Sequence, residues 1–266
     1  MKKTIRKFAP AMLVLVALAT LSFMAKDSIT LRLRPQQGKT YTITSKATTM
    51  NMLEVQGQTI NQSQNIDVTQ TLNVKEVTDE QSTFETQVES IKMAVSSMGM
   101  KFEYDSEHPE KTSPMIADQV KDFDKDIKKS STVIYDVLGN VVDDDDLNMS
   151  VLGAAIIQLP EEEISEGYQW TLDKNVSMSG MEVNSKMTYT VTSITKKSIE
   201  LSVKGNVVDS SDGIKGTWDG TMSINPQTGM TTKSAIKSNV SMTITEQGMS
   251  IPVTVVGNTN ITVEEK

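Results

Sequence analysis

Three aspartates at alternate positions, Asp122, Asp124 and Asp126, have the spacing that opens a calcium-binding loop. Such a loop also needs a glycine at its sixth position for the sharp turn and a glutamate at its twelfth as a bidentate ligand. Those positions hold Ile127 and Val133, so the aspartates read better as the solvated face of a helix. The aspartate run 143–146 is the most acidic stretch, and four adjacent like charges make a solvated loop more often than a cation site. No metal site is expected from either.

Catalytic groups are sparse. The single histidine, His108, lies beside Asp105 and Ser106. A working nucleophile, base and orienting acid normally arrive from separate loops, so His108-Pro109 reads as a surface turn. Glu161–Glu163 read as a solvated loop. The sequence has neither a phosphate-cradling glycine loop nor a G-x-S-x-G elbow, and no cofactor is expected. A carboxylate pair leaves no local motif, so an enzyme remains the weakest of three readings rather than an excluded one.

Methionine is the unusual signal, with 17 in the chain. Met50 and Met52, and Met98 and Met100, sit two apart and would share a strand face. Thioethers fill irregular core gaps, make deformable contact surfaces, or ligate copper(I). Copper sites of that kind usually pair methionine with histidine, which leaves core filling and a deformable apolar cavity as the two open uses. Stacked aromatic platforms for sugars are poorly supplied, since aromatic residues are 5% of the chain. Tyr41 and Trp170 read as core anchors.

The elements that must position these residues are strands. Polarity alternates with a period of two over 68–75 (with a one-residue imperfection), 84–90, 187–194 and 199–203. One dry and one wet face is the pattern of antiparallel sheets. Turn chemistry punctuates it at Asp79-Glu80, Lys196-Lys197, 210–213 and 225–229. One segment departs: Ile116, Val120, Phe123 and Ile127 are spaced four, three and four apart, which predicts an amphipathic helix over 114–130 with Ser113 as N-cap and Pro114 at its first position. The apolar segment 149–159 has no period and reads as a short buried helix or a connector. Gly38-Lys39-Thr40-Tyr41 and Gly167-Tyr168-Gln169-Trp170 are similar openers, each preceded by a proline and followed by comparable strand pairs. Two diverged β-units, 26–147 and 148–266, are therefore expected.

The first 25 residues read as a cleaved signal peptide: Lys2, Lys3, Arg6 and Lys7 precede an uncharged run, 8–25. A retained membrane anchor is the rival reading. Losing the leader takes the formal charge from −8 to −12 and leaves only Arg32 and Arg34 as arginines, a poor match for nucleic acid. Cysteine is absent, which excludes disulfides, thiolate metal sites and lipid attached to an N-terminal cysteine. Periplasmic or extracellular localisation in the cell envelope follows, with no membrane span once the leader is gone.

The two openers, with the phrase 102–106 and Tyr135-Asp136 … Gly139, resemble a family of uncharacterised exported bacterial β-rich proteins, a domain of unknown function. The resemblance implies location and architecture but no mechanism. A looser, fold-level similarity to periplasmic carriers of lipoproteins and lipids implies a curved antiparallel sheet around an apolar groove. The expected fold is thus mainly β, one or more curved antiparallel sheets with one amphipathic helix packed on a sheet face. The expected site is an apolar groove between them lined by Met93, Met98, Met100, Val120, Phe123 and Ile127, taking an apolar ligand or a lipid-modified partner. The alternative is a structural or assembly protein of the envelope that has no small-molecule ligand.

Overall fold

The computed structural model describes residues 28–55, 57–118, 120–121, 127–144, 155–178, 181–208, 213–246 and 249–266. The expected leader, Phe123, Asp122, Asp124, Asp126, Asp145 and Asp146 lie outside them. Twelve strands follow in chain order: β1 Thr40–Val55, β2 Gln58–Val77, β3 Gln81–Ser97, β4 Met100–Asp105, β5 Ser130–Asp136, β6 Val141–Asp144, β7 Gln169–Met178, β8 Met181–Ile194, β9 Ile199–Val207, β10 Lys215–Ile224, β11 Thr231–Glu246 and β12 Met249–Glu265. They form one antiparallel sheet ordered β6-β5-β3-β2-β1-β12-β11-β10-β9-β8-β7, with β4 hairpinned onto β3. The two-residue polarity period is therefore expressed as paired strands with one dry side. On β12, Ile251, Val253, Val255, Ile261 and Val263 are buried while their neighbours face water.

The sheet curls until its two arms nearly meet. Flat, β5 and β10 would lie on the order of 30 Å apart at the usual strand spacing. Yet two consecutive residues tie them: Leu33 N–H donates to Val137 O at 2.8 Å, just after β5, and Arg34 N–H to Thr228 O at 2.9 Å, in the β10–β11 turn. A second strap crosses the same end. Thr231 N–H donates to Ala155 O, Leu159 N–H to Leu138 O at 2.7 Å, and the Trp170 indole of β7 to Gln158 O at 3.2 Å. Ile29 and Ile164 pair the two straps. Leu31, Leu33, Ile156, Ile157, Leu159 and Ile164, all at most 4% exposed, fill the enclosed end against Ile43, Leu72, Phe84, Leu201 and Ile224. Each such burial is worth about 1.5–3 kcal/mol, so strap and sheet hold each other.

The straps need glycine where they touch the turns. Gly139 (φ +79°) and Gly229 (φ +70°) sit so close that an added Cβ would lie 2.4 Å from Ile157 O and 2.3 Å from Arg32 O respectively.

The two openers close onto the sheet in the same way. Gly38 N–H donates to Val74 O and Val74 N–H to Lys39 O; Gly167 N–H donates to Val191 O and Val191 N–H to Tyr168 O. The turns that follow also match, with Thr78 bonded to Gln81 as Thr195 is to Ser198.

The amphipathic helix expected over 114–130 is not formed, which corrects the fold reading. Pro109–Lys111 is a 3-10 turn, and residues 114–116 are a turn. Among the described residues, helical geometry is confined to 117, 118, 120 and 121, with Val120 N–H donating to Ile116 O. A first helical turn is unfavourable until later bonds extend it, and the sheet takes the groups that would do so. The Lys128 N–H, which a helix would direct to residue 124, donates to Val88 O, and the Ser113 hydroxyl accepts from Glu103 N–H of β4. Lys128 itself is left-handed, at φ +62°. Ile116, Val120 and Ile127 still pack on the sheet, so the four-three-four spacing recorded a shared contact without a helix beneath it. No helix among the described residues is long and apolar enough to cross a membrane.

Candidate functional site

Away from the straps, the inner face continues along β1–β4 and β8–β12 toward the free hairpin ends. Cross-strand pairing brings its side chains together in rows. On one wall Ile66, Met93 and Tyr104 are level, then Gln64, Val95 and Phe102, then Gln62, Ser97 and Met100. Ile116 and Met115 reach over them from the 113–121 turn. Among these side chains lies a cavity of about 400 Å³, apolar at Met93, Val95, Phe102, Met115 and Ile116 and polar at Gln62, Gln64 and Ser97. The Gln64 amide donates weakly to the Met93 sulfur at 3.5 Å. A second apolar cluster of the same face is built by Val240, Met242, Val253 and Val255, with Leu53 and Trp218 against them.

Along β1–β4 and β8–β12 the charges lie on the other side of the sheet. In this half, every described inward side chain on β1–β4 and β8–β12 is uncharged. The outward positions carry Lys46 with Asp67 at 3.9 Å, Lys92 with Asp105 at 3.4 Å and Glu107 at 2.7 Å, and Lys101 with Glu103. Glu107 and Asp105 hold the Lys92 ammonium above its ordinary range. The inward exception is Lys174 on the edge strand β7, level with Ser185, where desolvation lowers the ammonium's pKa. At the enclosed end burial pushes the Tyr189 phenol up to about 12, its ring stacked 5.1 Å from Trp170.

Of the residues expected to line the groove, Met93 lines the cavity, Val120 is buried in the cluster beneath it, and Ile127 packs on that cluster. Met98 and Met100 stand at the β3–β4 tip, 69% and 48% exposed, with Met98 in the left-handed region at φ +49°. The sequence reading did not assign Gln62, Gln64, Ser97 or Val95 to the groove, and took Phe102 only as part of the 102–106 phrase. Recognising Met98-Gly99 as a hairpin tip would have registered Phe102 on Val95 and found them. His108 is on the surface, its ring nitrogen 3.4 Å from Glu110. Among the described residues, no three His, Cys, Asp or Glu side chains gather as a metal centre would require.

No curated protein sequence matches the chain. A lipovitellin structure described by its lipid–protein interactions has a TM-score of 0.50 at 12% identity, covering 86% of this chain and 25% of that one. That likeness is one of fold, and this chain spans about a quarter of that chain's length. An outer membrane channel from Pseudomonas putida F1 gives a TM-score of 0.26 at 10% identity, covering 87% of this chain and 97% of that one. The translocator domain of the autotransporter NalP from Neisseria meningitidis gives 0.22 at 8%, covering 85% and 90%. Residues 116–264, more than half the sequence, match a family described as of unknown function (DUF6263), and the chain belongs to that family.

Proposed function

We propose that the protein is an exported cell-envelope protein that binds an apolar ligand, or the lipid-modified part of a partner, in the trough on the inner face of the curled sheet. The carrying observation is the cavity of about 400 Å³ where the described inward side chains of β1–β4 are uncharged, in the half of the sheet that the straps do not cross. Its size falls within the roughly 300–1,000 Å³ of small-molecule sites. Methionine at Met93 and Met115 suits a chain of variable shape, because an unbranched thioether adapts to its neighbour. The shared fold with part of lipovitellin, a structure described by its lipid contacts, supports the same reading. Export rests on the cationic, then apolar, first 25 residues. The matching openers and turns support two diverged β-units, 26–147 and 148–266, that meet where β1 pairs with β12.

The test is binding of the neutral fluorescent probe N-phenyl-1-naphthylamine to the purified protein, with Phe102→Asp as the disabled variant. Phe102 is half-buried at the cavity wall, so a carboxylate there should abolish binding while circular dichroism stays that of a sheet. Probe binding that survives Phe102→Asp in a folded protein, or fails in the parent, refutes this reading. One observation favours the assembly alternative: edge strand β6 exposes Val141 and Val142 at 53% and 58%. An unpaired edge of that kind can receive another strand.

A further inference from the structure

The trough has a polar row as well as two apolar walls. Ser97 pairs across with Gln62, and Gln62 with Asn51; one level up, Gln64 pairs with Thr49, and Thr49 with Gly257 beside Ser238. The row crosses from β3 to β11 and separates the cluster of Ile66, Ile91 and Phe102 from that of Leu53, Val253 and Val255. Every member carries an amide or a hydroxyl, or is glycine, and none is ionisable.

We propose that the site selects an uncharged, single-chain amphiphile: an ester, amide or hydroxyl head hydrogen-bonded by Gln62, Gln64 and Ser97, its chain lying on Met93, Val95 and Phe102. The proposal rests on the ligand-binding reading above and specifies its chemical class. Amides and hydroxyls donate and accept at once, which matches a neutral head able to do the same. An ionised head would enter a half-buried site with no countercharge, where a charge is far more costly than a paired neutral group. The formal charge of −8 over the whole chain adds long-range repulsion of anions. The cavity volume, near the low end for small-molecule sites, suits one chain rather than two.

The experiment is displacement of N-phenyl-1-naphthylamine by glycerol monooleate or by oleate, below their micellar concentrations and at mildly alkaline pH where oleate is ionised. These ligands share a chain and differ in head charge. Glycerol monooleate should displace the probe at concentrations at least about tenfold lower than oleate, corresponding to one unfavourable charge. Gln64→Lys, checked for folding by thermal melt, should reverse the order: oleate improves by roughly tenfold as it gains a countercharge, while glycerol monooleate weakens by roughly three- to tenfold as its head loses an amide partner; Gln62→Lys serves if it does not fold. Oleate binding as well as, or better than, its neutral counterpart overturns the selectivity. Loss of that binding in Lys174→Gln would then assign the head group to β7. If the probe binds and neither oleyl ligand displaces it, the amphiphile class falls and the apolar-ligand reading stands; if the probe never binds, both fall.

Discussion

Alanine at Gly139 tests whether the strap 155–159 seals one end of the sheet. Gly139 and Gly99 have nearly the same backbone, φ +79° and +78°, but different surroundings. A Cβ at Gly99 meets nothing within 4 Å, whereas at Gly139 it lies 2.4 Å from Ile157 O and 3.3 Å from Ile156 Cγ2. Both alanines incur the left-handed penalty of about 1–2 kcal/mol. Only Gly139→Ala must also push the strap back by about an ångström, since carbon–oxygen contacts below 3 Å are not sustained. That movement weakens the Leu159–Leu138 hydrogen bond, about 1 kcal/mol net, and part of the packing of Ile156 and Ile157, about 1–2 kcal/mol more. Gly139→Ala should therefore be about 2–3 kcal/mol worse than Gly99→Ala. At roughly 2–4 °C per kcal/mol for a chain of this size, the two melting temperatures should differ by about 5–10 °C. Thermal melts and urea unfolding followed by far-ultraviolet circular dichroism measure it. Equal losses in the two variants would mean that the strap is not seated on the turn, and the closed end would go with it.

Two spectroscopic expectations follow from the same geometry. Trp218 lies half-buried, level with Ser238 at the end of the polar row, and Trp170 under the straps, so ligand binding should shift the emission of Trp170→Phe protein and leave that of Trp218→Phe unchanged; a shift of Trp170 instead would place the ligand at the enclosed end. Burial raises the Tyr189 phenol to about 12, so its contribution to stability is fully present below the ordinary phenol pKa near 10 and is lost as pH rises from there through 12. Its full size is about 2–3 kcal/mol, and urea unfolding over that range should show a steeper alkaline loss in the parent than in Tyr189→Phe, which keeps the raised phenols of Tyr41 and Tyr168.

The strands were legible because one dry face forces a period of two. Tyr41 and Trp170, read as core anchors, are 6% and 8% exposed in the same cluster. The imperfection in 68–75 is also explained. Gln70 points inward between Val68 and Leu72, is 1% exposed, and its Oε1 has no partner among the described residues. Leu31 and Leu33 were not legible, and Ile156 and Ile157 only as part of an apolar segment read as a buried helix or a connector, because a strap that crosses strand ends has no period and takes its burial from strands far away in sequence. The helix failed for a related reason: spacing reports which side chains meet a surface, and backbone bonds to the sheet at Ser113 and Lys128 bring Ile116, Val120 and Ile127 to it as a helix would.

The polar row was hidden by the rule that found the strands. Alternation assigns Thr, Asn, Gln and Ser to the wet side, and on most of this sheet that holds. At Thr49, Asn51, Gln62 and Gln64 it inverts: these residues share the inner face with Ile43 and Val68, while charged Lys46 and Asp67 lie outside. Folding alone does not require this face to be free of charge. Thr49, Asn51, Gln62 and Gln64 are only half-buried, a degree of exposure at which Asp105 and Glu85 are accommodated on the outside, where hydrogen bonds and the lysines Lys92 and Lys75 hold both carboxyls below their ordinary range. A lysine or glutamate on the inner row would cost little if only water stood before it, because exposed charge is cheap to solvate. Neutral groups there cost least when the space is occupied by something that cannot solvate an ion. An acyl chain with an uncharged head meets that condition, whereas water does not.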